Sequence, residues 1–327
     1  MIFLDPYAPH ILKAKEKHLE KLFPKVRDRV NDLPAGELKS FLSESKIKSI
    51  IVDVPNDLFN HHLALINAIP NLSVAEWQEY LIIKKKRAKN RNAREIIIFE
   101  RYKNFISELN NIFKYKGGFA IKKTKYSTYD LAEILNVHTC VYCNRVYTKT
   151  VINPNKITRP EFDHWYPKES YPLLALSFYN LIPSCHICNS SVKGSIEMNT
   201  NDFLHPYIKE QLNMKFSYWI ESLNKYKFQI KRIANSKEDN TINAFKLEEM
   251  YETHTDEIHD LVHLRKLYSV DYLIKLRGLL SKVDQKISNE EIYRLAFGTS
   301  FNEKDFQKRP LSRMKRDILE ELGMLPR

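Results

Sequence analysis

Phe162-Asp163-His164-Trp165-Tyr166-Pro167-Lys168 lies between two cysteine pairs, Cys140-Val141-Tyr142-Cys143 and Cys185-His186-Ile187-Cys188. The chain has four cysteines, and these pairs use all of them. A two-residue gap lets two thiolates converge on one ion from a tight turn. Two such knuckles complete a tetrahedral Cys₄ site, the closed geometry of structural zinc. Cys140, Cys143, Cys185 and Cys188 are therefore expected to bind Zn²⁺ and hold the fold, with no open position left for chemistry. The segment 144–184 between the knuckles exceeds what a compact zinc ribbon needs, so something else is inserted there.

That insert carries reactive residue types. His164 can take a proton near neutral pH. Asp163 offers hard carboxylate oxygens and Asn189, just after the second knuckle, an amide oxygen; such donors suit Mg²⁺ or a similar cation. On a regular strand Asp163 and His164 point to opposite faces, so a site shared by both demands a local distortion. Lys193-Gly194 follows, and Lys193 reads equally as a phosphate contact or as the residue closing a helix C-terminus. His205, in Leu204-His205-Pro206, is a further candidate metal ligand, set against a surface or core histidine. His186, between two knuckle cysteines, is expected to face outward.

The order of these features resembles the HNH endonuclease family: Asp-His in a strand, then Asn180-Leu181, then C-x-x-C followed by Asn and a Lys-Gly. The resemblance spans roughly residues 136–207. It implies a ββα-metal fold in which His164 is the general base, Asp163 and Asn189 hold the catalytic metal, and Asn180 orients His164 by bonding the loop that carries it. Many members have His where Asn189 stands. An amide ligand favours Mg²⁺ or Mn²⁺ over Zn²⁺ or Ni²⁺ as the catalytic ion, and the choice among them stays open. The style of Tyr179–Gly194 is also similar to stand-alone HNH subunits of bacterial anti-phage systems, such as Septu-type pairs with a separate ATPase. This resemblance implies a defence role and a partner ATPase, because the chain has no G-x-x-x-x-G-K-[ST] of its own.

Charge agrees with a polyanionic partner. Lys and Arg total 52 against 40 Asp and Glu, a net +12, with pI near 9.3. Candidate phosphate contacts are Arg145, Lys149, Lys168 and Lys193, with the basic run Lys84–Arg94, which reads more readily as a solvated helix face. DNA is the expected substrate, with RNA as the alternative. A catalytically silent, zinc-stabilised nucleic-acid-binding module and an RNA- or tRNA-cleaving toxin are the competing functions. No apolar run reaches the roughly 20 residues that span a bilayer, and Met1–Lys13 lacks the order of a signal peptide, so no membrane partner and a cytoplasmic location are expected. His259-Asp260-Leu261-Val262-His263 mimics a zincin motif, but Asp in place of Glu is a methylene short and would hold the water poorly.

The flanks complete an α+β expectation: mainly helical regions around a central ββα-metal core. Residues 1–125 read as helices, with Ser73 a plausible N-cap and Tyr102, Phe105, Ile106, Leu109, Ile112 and Phe113 at helical spacing. Gly117-Gly118 is the best candidate boundary before a core at 126–210. In 211–327, Phe216, Tyr218 and Ile220 alternate, as do Tyr226, Phe228 and Ile230, which predicts a β-hairpin, followed by helical spacing over 243–268.

Overall fold

The computed structural model describes residues 1–121, 125–153, 155–268, 270–283 and 286–325, with the side chains of 270–273 and 283 outside that set. It is a mixture of helix and two small antiparallel sheets, an α+β arrangement.

Among the described residues seven α-helices come first: α1 (Pro9–Asn31), α2 (Glu37–Phe41), α3 (Glu44–Val52), α4 (Pro55–Ala68), α5 (Val74–Ile83), α6 (Ala93–Ile112) and α7 (Thr128–Leu135). Their starts follow from capping chemistry. The Ser73 hydroxyl accepts the Glu76 N–H before α5, and reciprocal Asn92/Glu95 and Ser127/Asp130 boxes open α6 and α7. In α1 the buried residues Ile11, Ala14, His18, Leu22, Val26 and Val30 recur every three or four positions, forming one stripe that packs against α3, α6 and α7. In α6, Ile98, Tyr102, Phe105, Ile106, Leu109 and Ile112 do the same.

The middle of the chain holds β1 (Glu161–His164) and β2 (Leu181–Ser184), paired antiparallel with Asp163 opposite Ile182 and His164 opposite Leu181. A π-helical turn, Ile187–Lys193, follows β2 and closes with the Gly194 N–H on the Asn189 carbonyl. Gly194 leaves it with φ +51°, a conformation that disfavours a side chain.

A hairpin of β3 (Lys215–Ser222) and β4 (Lys225–Lys231) opens the last region, with Phe216 opposite Ile230 and Tyr218 opposite Phe228. After it come α8 (Lys237–Ala244), α9 (Leu247–Tyr251), α10 (Thr255–Leu267), α11 (Val270–Val283), α12 (Asn289–Phe297) and α13 (Ser312–Glu321). The helical spacing over 243–268 is broken into separate pieces because Lys246 takes φ +49° and 252–254 tightens to a 3₁₀ turn. α10 and α13 cover the hairpin, and the Asp317 carboxylate accepts the Phe216 N–H at 3.1 Å.

One cluster of buried apolar side chains runs from Met1 to Met324, so the helical half and the cysteine region share a core. The shared contacts converge on the loop between β1 and β2. The His18 Nε2–H of α1 donates to the Leu176 carbonyl at 2.8 Å, and the Ser177 hydroxyl donates to Ile50 of α3. No helix is long and apolar enough to cross a membrane among the described residues.

Candidate metal centre and active site

Two local features bring the cysteines together. β2 runs directly into Cys185, and the Val141 N–H, between the first two cysteines, donates to the Pro183 carbonyl at 3.2 Å. The first knuckle is thus laid along β2, one residue pair from the second. The ligand atoms of Cys140, Cys143, Cys185 and Cys188 all lie within 4.8 Å of one another. Four sulfurs around a zinc at ~2.3 Å would be about 3.8 Å apart, so the cluster needs only a small contraction to hold one ion. Burial, reinforced by the neighbouring sulfurs, pushes the Cys140 thiol well above its ordinary value. A bound cation would reverse that by stabilising the thiolates.

The knuckle is anchored from the far end of the chain. Asn144 leaves Cys143 at φ +51°, and its amide donates to Thr139 Oγ1 and to the Phe306 and Arg309 carbonyls, each at 3.0 Å. Asn144 gives no signal in a C-x-x-C pattern, because two of its amide's three partners lie in the C-terminal segment.

β1 distributes its side chains to two faces, as its regular register requires. On one face Asp163 is buried and fully engaged: Lys193 Nζ lies 3.1 Å from Oδ1, and the Tyr142 phenol donates to Oδ2 at 2.5 Å. Lys193, 1% exposed, also donates to the His164 carbonyl at 2.8 Å. Its ammonium is thus spent inside the protein and does not reach a ligand at the surface. Glu161, two residues before Asp163 and on the same face, reaches outward. Its carboxylate meets His186 Nδ1 at 2.9 Å and accepts from the Asn189 amide at 2.7 Å. The structure therefore brings Asn189 to Glu161 and not to Asp163. Glu161 escaped the sequence reading although its two-residue offset from Asp163 was a usable signal.

On the other face stands His164, 4% exposed. Its Nε2 lies 3.1 Å from the Ala175 carbonyl. A carbonyl only accepts, so Nε2 carries the proton and Nδ1 keeps its lone pair, with no partner among the described residues. Burial, and then the charges of Lys168, Lys193 and Lys116, hold the imidazole well below its ordinary value despite the Ala175 bond, so the ring is neutral at pH 7. Asn180 pins the loop one residue before Ala175: its side-chain oxygen accepts the Tyr166 N–H at 2.7 Å and its amide donates to the Tyr166 and Leu174 carbonyls at 3.1 and 2.9 Å. The ring of Tyr115, from a π-helical turn at Tyr115–Phe119, meets the His164 ring edge-on at 4.4 Å. Burial raises the Tyr115 phenol, with Arg159 opposing and Asp163 and Glu161 adding to it. Nothing in the sequence connects Tyr115 to His164.

The remaining candidates fall elsewhere. His205 is buried among Trp165, Tyr179 and Tyr207; its ring stands 4.7 Å from Trp165, and burial lowers its pKa to about 3. Arg145 donates to His254 Nε2 at 2.8 Å and to Thr253. Lys149 is exposed over the Tyr147 ring, and Lys168 pairs with Glu169 at 3.0 Å. Much of the basic run is spent locally: Lys84 on Glu197, Lys86 on Glu95, Arg94 on Glu79, and Arg91 over the Phe99 ring at 3.6 Å. His259 and His263 lie on the exposed side of α10. Compared with known proteins, the chain matches no family model, no curated protein and no solved structure.

Proposed function

We propose that the chain is a metal-dependent nuclease of the HNH type, hydrolysing phosphodiester bonds in DNA with His164 as general base. The observation that carries this reading is the fixed tautomer of His164. The Ala175 carbonyl, next to the Leu174 carbonyl that Asn180 bonds, accepts a hydrogen bond from Nε2–H, and an Nδ1 lone pair without a partner among the described residues is left on a neutral imidazole. Every neutral imidazole keeps one lone pair; the support comes from that pair having no partner among the described residues, as a group that must accept a proton from water requires. The setting supports it: two antiparallel strands, a helical turn, and four cysteines gathered around one point.

In this reading a hard divalent cation would be held at Glu161 and Asn189. Glu161 and Asn189 already meet through oxygen and amide, and Asp163 lies behind them under the Lys193 ammonium. Oxygen donors of this kind suit Mg²⁺ or Mn²⁺, while His186 would add a nitrogen that suits Zn²⁺ or Ni²⁺. Such an ion would neutralise phosphate charge and steady the leaving oxygen. A phosphodiester laid across the end of β1 would face His164 on one side and the carboxylates on the other, where Tyr115 now packs. The protein's own part is then to hold Nδ1 unprotonated, aim it at water, and clear Tyr115 from its path. A covered base suits an effector restrained until a partner acts, in line with a defence role beside a partner ATPase.

The test is cleavage of supercoiled plasmid and of single-stranded RNA with added Mg²⁺ or Mn²⁺. His164→Ala is expected to lose at least about 100-fold in rate while retaining its zinc, and Tyr115→Ala is expected to cut faster than the parent. Equal cutting by His164→Ala would remove the general base. Binding without cutting by the parent and by Tyr115→Ala would leave a silent binding module, and cutting confined to RNA would transfer the reading to a ribonuclease.

A further inference from the structure

Beside the covered His164 lies a cavity of about 290 Å³ at the end of α6, bordered by Asn110, Lys114, Lys116, Lys168 and Glu169, with Tyr115 between the lysines. Three ammonium groups and one carboxylate line it. Neither the Lys114 nor the Lys116 ammonium makes an ion pair or hydrogen bond with a described residue, and both side chains are exposed. Lys168 is paired with Glu169 and stands 6.0 Å over the Tyr115 ring. Lys116 and Lys168 are near enough to His164 to disfavour its charged form.

The backbone is shaped to let these groups converge. A Cβ on Gly117 would come within 2.5 Å of Lys114 Cε, so the absent side chain leaves room for Lys114 to fold back across the turn. The turn therefore places Lys114 and Lys116 on the same side as Lys168, which belongs to the loop following β1. Elsewhere in the basic run Lys86, Arg91 and Arg94 are neutralised or stacked. Here the surplus positive charge is left open to solvent next to an unbonded imidazole nitrogen. Such an arrangement costs self-repulsion unless an anion enters it.

We propose that Lys114, Lys116 and Lys168 form a backbone-phosphate site for duplex nucleic acid, seating a phosphate next to the one presented to His164. This deepens the nuclease reading and rests on it for the identity of the anion. The site contributes charge and position rather than base readout, because ammonium groups contact phosphates without distinguishing sequence.

The experiment separates binding from cutting. A fluorescein-labelled 20-base-pair duplex is titrated with the full chain without added divalent cation, and affinity is followed by anisotropy from low to moderate salt. The variant Lys114→Ala/Lys116→Ala/Lys168→Ala is compared with Lys266→Ala/Lys275→Ala/Lys282→Ala, which removes the same formal charge from exposed positions of α10 and α11. Each lost phosphate contact lowers the log–log salt slope by about 0.9, so the cavity variant is expected to lose about 2 to 3 in slope and the control variant little. Equal losses in the two variants, no loss in the cavity variant, or no duplex binding by the parent would overturn the proposal. A parent that binds with this slope difference yet cuts nothing under any metal keeps the phosphate site and removes the hydrolytic reading.

Discussion

The two faces of β1 solve opposite problems with adjacent residues. On one, Asp163 is a buried charge, and each of its oxygens is committed, to Lys193 and to Tyr142. On the other, His164 is a buried neutral ring with one nitrogen bonded to Ala175 and one unspent. A charge taken out of water demands pairing, whereas a neutral acceptor is left open at modest cost. The difference teaches which group is scaffold and which is available for chemistry. Asp163 is the keystone between the first knuckle, which carries Tyr142, and the turn after the second, which carries Lys193. His164 hangs from the same strand with its Nδ1 free of any partner among the described residues.

Both faces depend on the cysteine clamp, so breaking the clamp should abolish the comparison altogether. Cys188→Ser removes one of the four clustered thiols, at a fully buried position. Structural zinc contributes on the order of 10 kcal/mol to small zinc folds, more than a typical domain can lose. The expected result is a zinc-free protein whose middle region is unfolded, measured by metal content and circular dichroism. A folded variant without zinc would show that the aromatic core alone supports β1 and β2.

The next largest effect isolates the charged face. Lys193→Met keeps the stem and removes the ammonium, leaving Asp163 with Tyr142 as its side-chain partner among the described residues. Breaking one half of a buried ion pair costs about 3–5 kcal/mol, while replacing both halves by neutral groups costs far less. Urea unfolding of Lys193→Met should show that loss, and Lys193→Met/Asp163→Asn should recover most of it. A single variant with parental stability would mean that Asp163 reaches water or a cation without Lys193, and the keystone role would pass to the metal.

These two faces also mark how far the sequence could be read. Paired C-x-x-C spacing is a local pattern with one economical geometry, and the sulfurs do gather. Capping at Ser73 and the alternation at Phe216–Ile220 are likewise local, and the α5 start and the β3–β4 hairpin follow them. The partners within the site were not legible, because each is set by a contact across the chain. Tyr115 reaches His164 from another region, Tyr142 reaches Asp163 from the opposite knuckle, and Asn144 is held by residues 306–313. Lys193 reads equally well as an exposed phosphate contact or a helix terminus; only packing shows it to be 1% exposed and pointed inward. Glu161 is the exception, since strand alternation already placed it beside Asp163.

The smallest effect sharpens the comparison by proton count. His164 is held well below 6.5 by burial, so between that folded value and 6.5 the unfolded chain binds a proton that the folded chain does not. Stability from this source is complete above pH 6.5 and is lost as pH falls below it, at a limit of about 1.4 kcal/mol per pH unit. His18, lowered to about 4, and His62, lowered to about 3, add losses of the same sign over the same starting window. Urea midpoints from pH 7 to pH 5 should therefore fall for the parent. His164→Leu fills similar space with a group that cannot titrate, so its slope should be shallower by about 1.4 kcal/mol per unit, whatever its stability at pH 7. Coincident slopes would mean that the ring at 164 titrates near its ordinary value, exposed to solvent. In that case Tyr115 does not cover it in solution, and the acid limb of any cleavage profile would sit near 6.5 instead of below it.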